Sequence, residues 1–140
     1  MKIHWDKKIY DSMPPETRDL CEQAKSWISQ NEDLVSKYVS NIQEKHPALW
    51  FSRVMTNVEI GIDNEEIDAV NLGCLYVINA KKAPFGKIHK SNILVRLKRH
   101  SGLINPKYIP LFIETLNHLK KMKYPPREVR ELEKLIKEIC

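Results

Sequence analysis

The side chains best suited to bind a charged partner lie between positions 81 and 91, where four lysines, a histidine and Phe85 occur together. Lysine ammonium groups attract phosphates or carboxylates as point charges, and backbone N–H groups at the start of the next helix can add to that attraction. The segment is not a P-loop, because Gly86-Lys87 is followed by Ser91 at the wrong spacing and no clear strand precedes it. The sequence therefore predicts a binding surface here, with a solvated basic loop that binds nothing as the alternative.

The helix expected after this segment extends the same positive charge. Arg96, Arg99 and His100 fall at i, i+3 and i+4, so they share one helix face. Trp5 stands apart in a charged N-terminal segment, where it either docks that segment on the rest of the protein or anchors a partner. The predicted partner-binding residues are Lys81, Lys82, Phe85, Lys87, His89, Lys90, Arg96, Arg99 and Trp5.

The formal charge of +5 is unevenly distributed along the chain. Positions 69–113 contain eight basic residues and no Asp or Glu, whereas positions 1–68 contain eight basic and thirteen acidic residues. Positions 114–140 contain seven basic and five acidic residues. Such unevenness indicates a partner that is recognised electrostatically, either an acidic protein face or a nucleic acid.

Other chemistries find no support in residue spacing. None of the five histidines lies in an H-E-x-x-H or similar arrangement, and the pair Glu114 and His118 is more typical of a surface hydrogen bond than of a metal site. Cys74 falls on an apolar stripe, which favours a buried structural thiol. A nucleophilic Cys–His pair between residues distant in sequence is left as an alternative. We therefore expect no cofactor, no metal site and no catalytic residues. An enzyme that works at the 81–91 loop is kept as a third interpretation.

Prolines separate segments in which apolar residues recur with helical period. The predicted helices cover 15–30, 31–46, a segment from 47, a segment from about 66 to 78, 91–100, a segment from about 105, and a segment from 125. Asp63 and Glu66 fit a capping box, and Gly102 is expected to end a helix in the left-handed conformation. The apolar runs 58–62 and 72–78 also fit strands, but the capping box and the spacing favour helix. Three residues in mid-stripe are predicted to be buried, namely Val39, Ile42 and Leu116.

These features predict an all-α fold of six or seven amphipathic helices packed as antiparallel hairpins, in a compact bundle or a short HEAT-like stack. A length of 140 residues fits a single domain over 1–140, with residues 1–13 as an extension that docks on it. No run approaches the roughly 18 apolar residues of a membrane span, and the N-terminus lacks an apolar signal core. Three scattered cysteines are typical of reduced thiols. We expect a cytoplasmic protein without a membrane partner.

The sequence favours a non-enzymatic protein-binding module, such as an inhibitor or a toxin-immunity-type protein, that acts through its basic surface. Its expected partner is the acidic face of another protein, for example a toxin. The alternative is a small nucleic-acid-binding or regulatory protein that uses the basic 81–100 patch. The chain shows no helix-turn-helix glycine turn, no paired RNP aromatics and no zinc-finger spacing, which disfavours this alternative.

Overall fold

The computed structural model describes the backbone of residues 3–79 and 87–140, with all of their side chains except those of Lys87 and Ile88. This part of the chain contains eight α-helices and no β-strand, so the all-α prediction is confirmed for it. The helices are α1 (Lys7–Asp11), α2 (Pro15–Gln30), α3 (Glu32–Val35), α4 (Pro47–Asp63), α5 (Ile67–Ile78), α6 (Lys87–Arg99), α7 (Ile109–Lys120) and α8 (Glu128–Ile139). Short 3-10 turns lie at Ser36–Tyr38, Ser101–Leu103 and Pro106–Tyr108.

Proline begins two of the longest helices, as predicted. Pro15 and Pro47 take the first helical position of α2 and α4, where a fixed φ and a missing N–H are tolerated. The runs 58–62 and 72–78, which also fitted strands, lie inside α4 and α5. None of the helices in the described ranges is both long and apolar enough to cross a membrane.

The helix α5 lies at the centre of the fold, with α4, α6 and α7 packed around it. A helix that buries side chains on all sides must be enclosed by other helices. An aromatic cluster joins it to its neighbours, because the Tyr76 ring centroid lies 5.5 Å from that of Trp27 in α2 and 6.1 Å from that of Phe51 in α4. The buried residues of α5 are Ala69, Val70, Leu72, Gly73, Cys74, Tyr76 and Val77.

The predicted helix over 31–46 is wrong beyond its first turn. α3 ends at Val35, the next three residues form a 3-10 turn, and the chain from 39 to 46 is not helical. The carbonyl oxygen of Tyr38 accepts a hydrogen bond from Asn57 Nδ2 at 2.9 Å. That bond takes the place of the backbone bond that a continuing helix would make to the same oxygen.

A left-handed residue completes the exit from helical geometry, since Asn41 has a φ of 67°. The segment that follows α3 lies over the core instead of entering it. Val39 and Ile42 are therefore only partly buried, and the prediction that they are buried is wrong. Leu116 of α7 is likewise partly buried at the edge of the core.

The predicted capping box is absent. Asp63 is the last residue of α4, and Glu66 precedes α5 without a side-chain capping bond. The carboxylate of Glu66 accepts instead from the hydroxyl of Tyr38 at 3.0 Å. The predicted left-handed end at Gly102 is also wrong, because α6 continues into a 3-10 turn and no glycine in the described ranges has a positive φ.

The N-terminal segment packs against the start of α4. The rings of Trp5 and Trp50 meet edge to face, with centroids 6.2 Å apart. The amide of Asp6 donates a hydrogen bond to the carbonyl of Lys45 at 2.9 Å, and Lys25 Nζ lies 4.9 Å from the Trp5 ring centroid. These contacts correspond to the docking interpretation of Trp5.

Candidate functional site

The residues of the predicted basic surface have different surroundings. Lys81, Lys82 and Phe85 lie outside the described residues, as does the side chain of Lys87, whose backbone begins α6. The others can be placed individually, and they do not form one exposed patch.

Lys90 points into the protein. Lys90 is only 7% exposed, and its Nζ lies 5.9 Å from the centroid of the Tyr76 ring. A buried ammonium needs compensation by a ring face or a carboxylate, since water cannot reach it. Lys90 therefore belongs to the contact between α6 and α5 and is not available to a partner.

Arg96 and Arg99 face carboxylates at the end of α4. Arg96 Nε lies 3.0 Å from Asp63 Oδ2, and its Nη1 lies 3.7 Å from Glu59 Oε1. Arg99 Nη1 lies 3.4 Å from Asp63 Oδ1, and His100 Nε2 lies 3.5 Å from the same atom. The charge of this face of α6 is thus largely compensated inside the protein.

His89 lies in the same contact between α4 and α6, within a chain of hydrogen bonds. Its Nε2 lies 2.8 Å from Ser52 Oγ, and its Nδ1 lies 3.1 Å from Glu59 Oε2. The side chains of His89 and Glu59 are 12% and 7% exposed, whereas Ser52 is partly exposed. Ser52 and Glu59 are seven residues apart on α4, which places both on the face that meets α6.

Tyr76 adds a further polar group to the interior beside this contact. Its hydroxyl is buried and has no hydrogen-bond partner among the described residues. Burial is the main cause that raises the pKa of Tyr76 above its usual value, and the nearby carboxylates of Glu128 and Glu59 raise it further. The phenol therefore stays neutral at every physiological pH.

A line of exposed cations lies elsewhere in the described chain, at the start of α8 and along its outer face. Four cations recur there at i, i+3, i+7 and i+10, which places them within one stripe of the helix. Lys134 has a partner on its own helix, Glu131, at 3.6 Å. The other three contact no carboxylate in the described ranges. This set, the α8 basic stripe, consists of Arg127, Arg130, Lys134 and Lys137.

The sequence analysis missed the α8 basic stripe, because it counted charge by segment, and positions 114–140 have a modest net charge. A count of basic residues at helical spacing would have found the stripe, although Glu131 and Glu138 lie close to it on the helix.

A large aromatic side chain precedes the stripe, at the connection between α7 and α8. Tyr124 is 79% exposed, and Lys123 Nζ lies 5.6 Å from its ring centroid. Met122 beside it is also exposed. Exposed aromatic and thioether side chains next to cations are typical of a binding surface.

A polar groove of about 660 Å³ lies between the chain over 37–44 and residues of α4. Its ion pairs join Lys37 to Asp68 and Arg53 to Glu44, so its charges are balanced. Within residues 3–79 and 87–140, no three His, Cys, Asp or Glu side chains are grouped as metal ligands. The chain matches no protein-family model, no curated protein and no solved structure.

Proposed function

We propose that this protein is a protein-binding module, of inhibitor or immunity type, that docks the acidic face of another protein on the α8 basic stripe. The α8 basic stripe itself carries the proposal. Arg127, Arg130 and Lys137 are exposed and have no carboxylate partner in the described chain. An uncompensated line of cations attracts an acidic surface and speeds encounter with it.

The internal contacts of Lys90, Arg96 and Arg99 support this choice of face. Lys90 is enclosed beside Tyr76, and Arg96 and Arg99 are paired with Asp63. A cation that is paired inside the protein has little charge left for a partner. Among the cations that the structure describes, the α8 basic stripe is therefore the better candidate for the basic surface on which the function was predicted to depend.

The neighbourhood of the stripe favours a protein over a nucleic acid as its partner. Tyr124 and Met122 provide an apolar centre beside the cations. Protein interfaces combine such a centre with a charged rim, and aromatic residues supply much of the binding free energy.

The test compares the double variant Arg127→Glu/Arg130→Glu with wild type. A partner captured by the wild-type protein from its own cells is purified, and its Kd is measured for both proteins by calorimetry. We expect the double reversal to weaken binding at least about tenfold, which corresponds to about 1.4 kcal/mol. The matched control is Lys7→Glu/Lys8→Glu, which reverses two exposed lysines on α1 and should leave the Kd unchanged.

Two results would contradict the proposal. One is an unchanged Kd for a folded Arg127→Glu/Arg130→Glu variant. The other is nanomolar binding of the wild type to a mixed-sequence DNA or RNA oligonucleotide at about 150 mM salt, since such affinity marks a nucleic-acid-binding protein.

A further inference from the structure

The contact between α4 and α6 contains three side chains in the order that nucleophilic catalysis requires. A hydroxyl lies within hydrogen-bond distance of an imidazole, whose other nitrogen is held by a carboxylate. We propose that Ser52 is an activated nucleophile, with His89 as its general base and Glu59 as the positioning carboxylate. The site would hydrolyse small carboxylic esters, an activity separate from partner binding at α8.

The direction of the hydrogen bonds follows from the carboxylate. An ionised Glu59 only accepts hydrogen bonds, so in the general-base form of the site the imidazole carries its proton on Nδ1. Nε2 is then unprotonated and accepts the hydroxyl proton of Ser52 at 2.8 Å. This is the tautomer that a general base needs, since the acceptor nitrogen faces the nucleophile.

The burial of the three groups fits their separate roles. Glu59 and His89 are largely removed from water, which strengthens their hydrogen bond and fixes the imidazole ring. Ser52 is only partly buried, so the nucleophile is less enclosed than Glu59. A purely structural hydrogen bond has no need of that exposure.

One further feature balances the charge of Glu59, and another favours negative charge near Ser52. Arg96 Nη1 lies 3.7 Å from Glu59 Oε1, so a guanidinium compensates the buried carboxylate. His89 is the third residue of α6, and the positive end of that helix dipole therefore lies close to the reacting atoms. A developing oxyanion is stabilised by a positive potential of this kind.

The reaction needs only the ester and water. Ser52 Oγ attacks the carbonyl carbon and forms the Oγ–C bond, while its proton passes to His89 Nε2. The C–O bond to the alcohol then breaks, and the imidazolium returns the proton to the leaving oxygen. Water, deprotonated by the same nitrogen, then attacks the acyl carbon. The Oγ–C bond breaks, the imidazolium returns the proton to Ser52 Oγ, and the carboxylic acid is released.

The competing interpretation treats the three side chains as a fixed contact that holds α4 against α6. Both interpretations predict a loss of stability when His89 is replaced, because Glu59 would lose its partner. Only the nucleophile interpretation predicts that Ser52 reacts with an electrophile faster than the other serines do. Reactivity at Ser52 is therefore the deciding measurement.

The test treats the whole protein with an alkyl fluorophosphonate, which forms an Oγ–P bond as fluoride leaves, and follows the mass of the intact chain. We expect one label per molecule, located at Ser52 by peptide mapping. Ser52→Ala should take up none, and His89→Gln should react at least about 100-fold more slowly, the usual contribution of a general base. Glu59→Gln should also react more slowly, and Glu59→Asp should restore part of the rate.

Thr56→Val provides a matched control, since Thr56 lies one turn further along α4 and its hydroxyl donates only to the Ser52 carbonyl. It should be labelled at the wild-type rate. If His89→Gln fails to fold, the labelling rate of Ser52 is compared between native and urea-denatured wild type. An ordinary serine reacts no faster in the native protein, whereas an activated one does. Absence of native label, label on another serine, or equal rates in wild type and a folded His89→Gln variant would overturn the proposal.

Discussion

At the scale of single residues, Gly61 on α4 lies where two helices approach closely. A Cβ at this position would lie 2.6 Å from the Cβ of Ala69 on α5 and 3.0 Å from Cε1 of Tyr38. The Ala69 Cβ is fixed to its backbone, so the two helices would have to separate to make room. The glycine therefore permits α5 to lie directly against α4.

We predict that Gly61→Ala lowers the free energy of unfolding by about 1–3 kcal/mol, the usual range for overpacking in a core. Urea denaturation of the two proteins gives the difference. Gly102→Ala is the control, because nothing lies within 4 Å of the added Cβ and its φ is not positive. It should be neutral or slightly stabilising. A Gly61→Ala protein as stable as wild type would mean that α4 and α5 are further apart than described.

The charged residues of α6 show what a sequence alone cannot supply at this scale. Segment charge singled out Arg96 and Arg99, because no acid lies near them in the chain. Their partners Glu59 and Asp63 come from α4, more than thirty residues earlier. Whether a cation is free or compensated depends on helix packing, which residue order does not determine. The hydrogen bonds of His89 escaped prediction for the same reason.

At the scale of helices, α8 combines two faces of opposite character. Leu132 and Leu135 are fully buried where α8 packs on α6 and α7, and the α8 basic stripe lies outside. The apolar face follows the helical period that the sequence predicted from position 125 onward. Most of the stability of such a helix comes from packing of its apolar face, since isolated helices of this length are marginal.

Leu135→Ala should therefore lower the free energy of unfolding by about 2–5 kcal/mol, the range for a buried leucine. Leu49→Ala on α4 is the matched control, because this leucine is 53% exposed, and it should change stability by less than about 0.5 kcal/mol. Leu116→Ala should fall between the two, since Leu116 is partly buried. Guanidinium denaturation checks all three. Equal effects of Leu135→Ala and Leu49→Ala would contradict the packing of α8.

Helix boundaries were predictable where local chemistry decides them and not where a distant side chain does. Pro15 and Pro47 begin helices because of their own covalent geometry. The early end of α3 depends on Asn57 of α4, whose side-chain amide donates a hydrogen bond to the carbonyl oxygen of Tyr38. No spacing rule within 31–46 contains that information, and the apolar stripe of that segment therefore suggested too long a helix.

At the scale of the whole molecule, the three cysteines report on global packing. Cys21 on α2 and Cys74 on α5 are buried, whereas Cys140 is exposed, and all three are free. Burial raises the pKa of Cys74 to about 12 and also raises the pKa of Cys21. Thiols react with disulfide reagents as thiolates, so these two are protected both by their position and by their ionisation.

We predict that an aryl disulfide at about pH 8 titrates one thiol of the native protein rapidly and the other two at least about 100-fold more slowly, because they react only when the helices open. Cys140→Ser should remove the rapid phase and leave the slow one unchanged. In denaturant all three thiols should react at once, since neither burial nor a raised pKa survives unfolding. A second rapid thiol in the native protein would show that α2 or α5 is less enclosed than the structure has it. Fewer than three thiols in denaturant would instead reveal a disulfide.

If the slow rate follows the free energy of unfolding across Gly61→Ala and Leu135→Ala, the helices open as one cooperative unit. If Leu135→Ala leaves the Cys21 rate unchanged, α2 opens independently of α8.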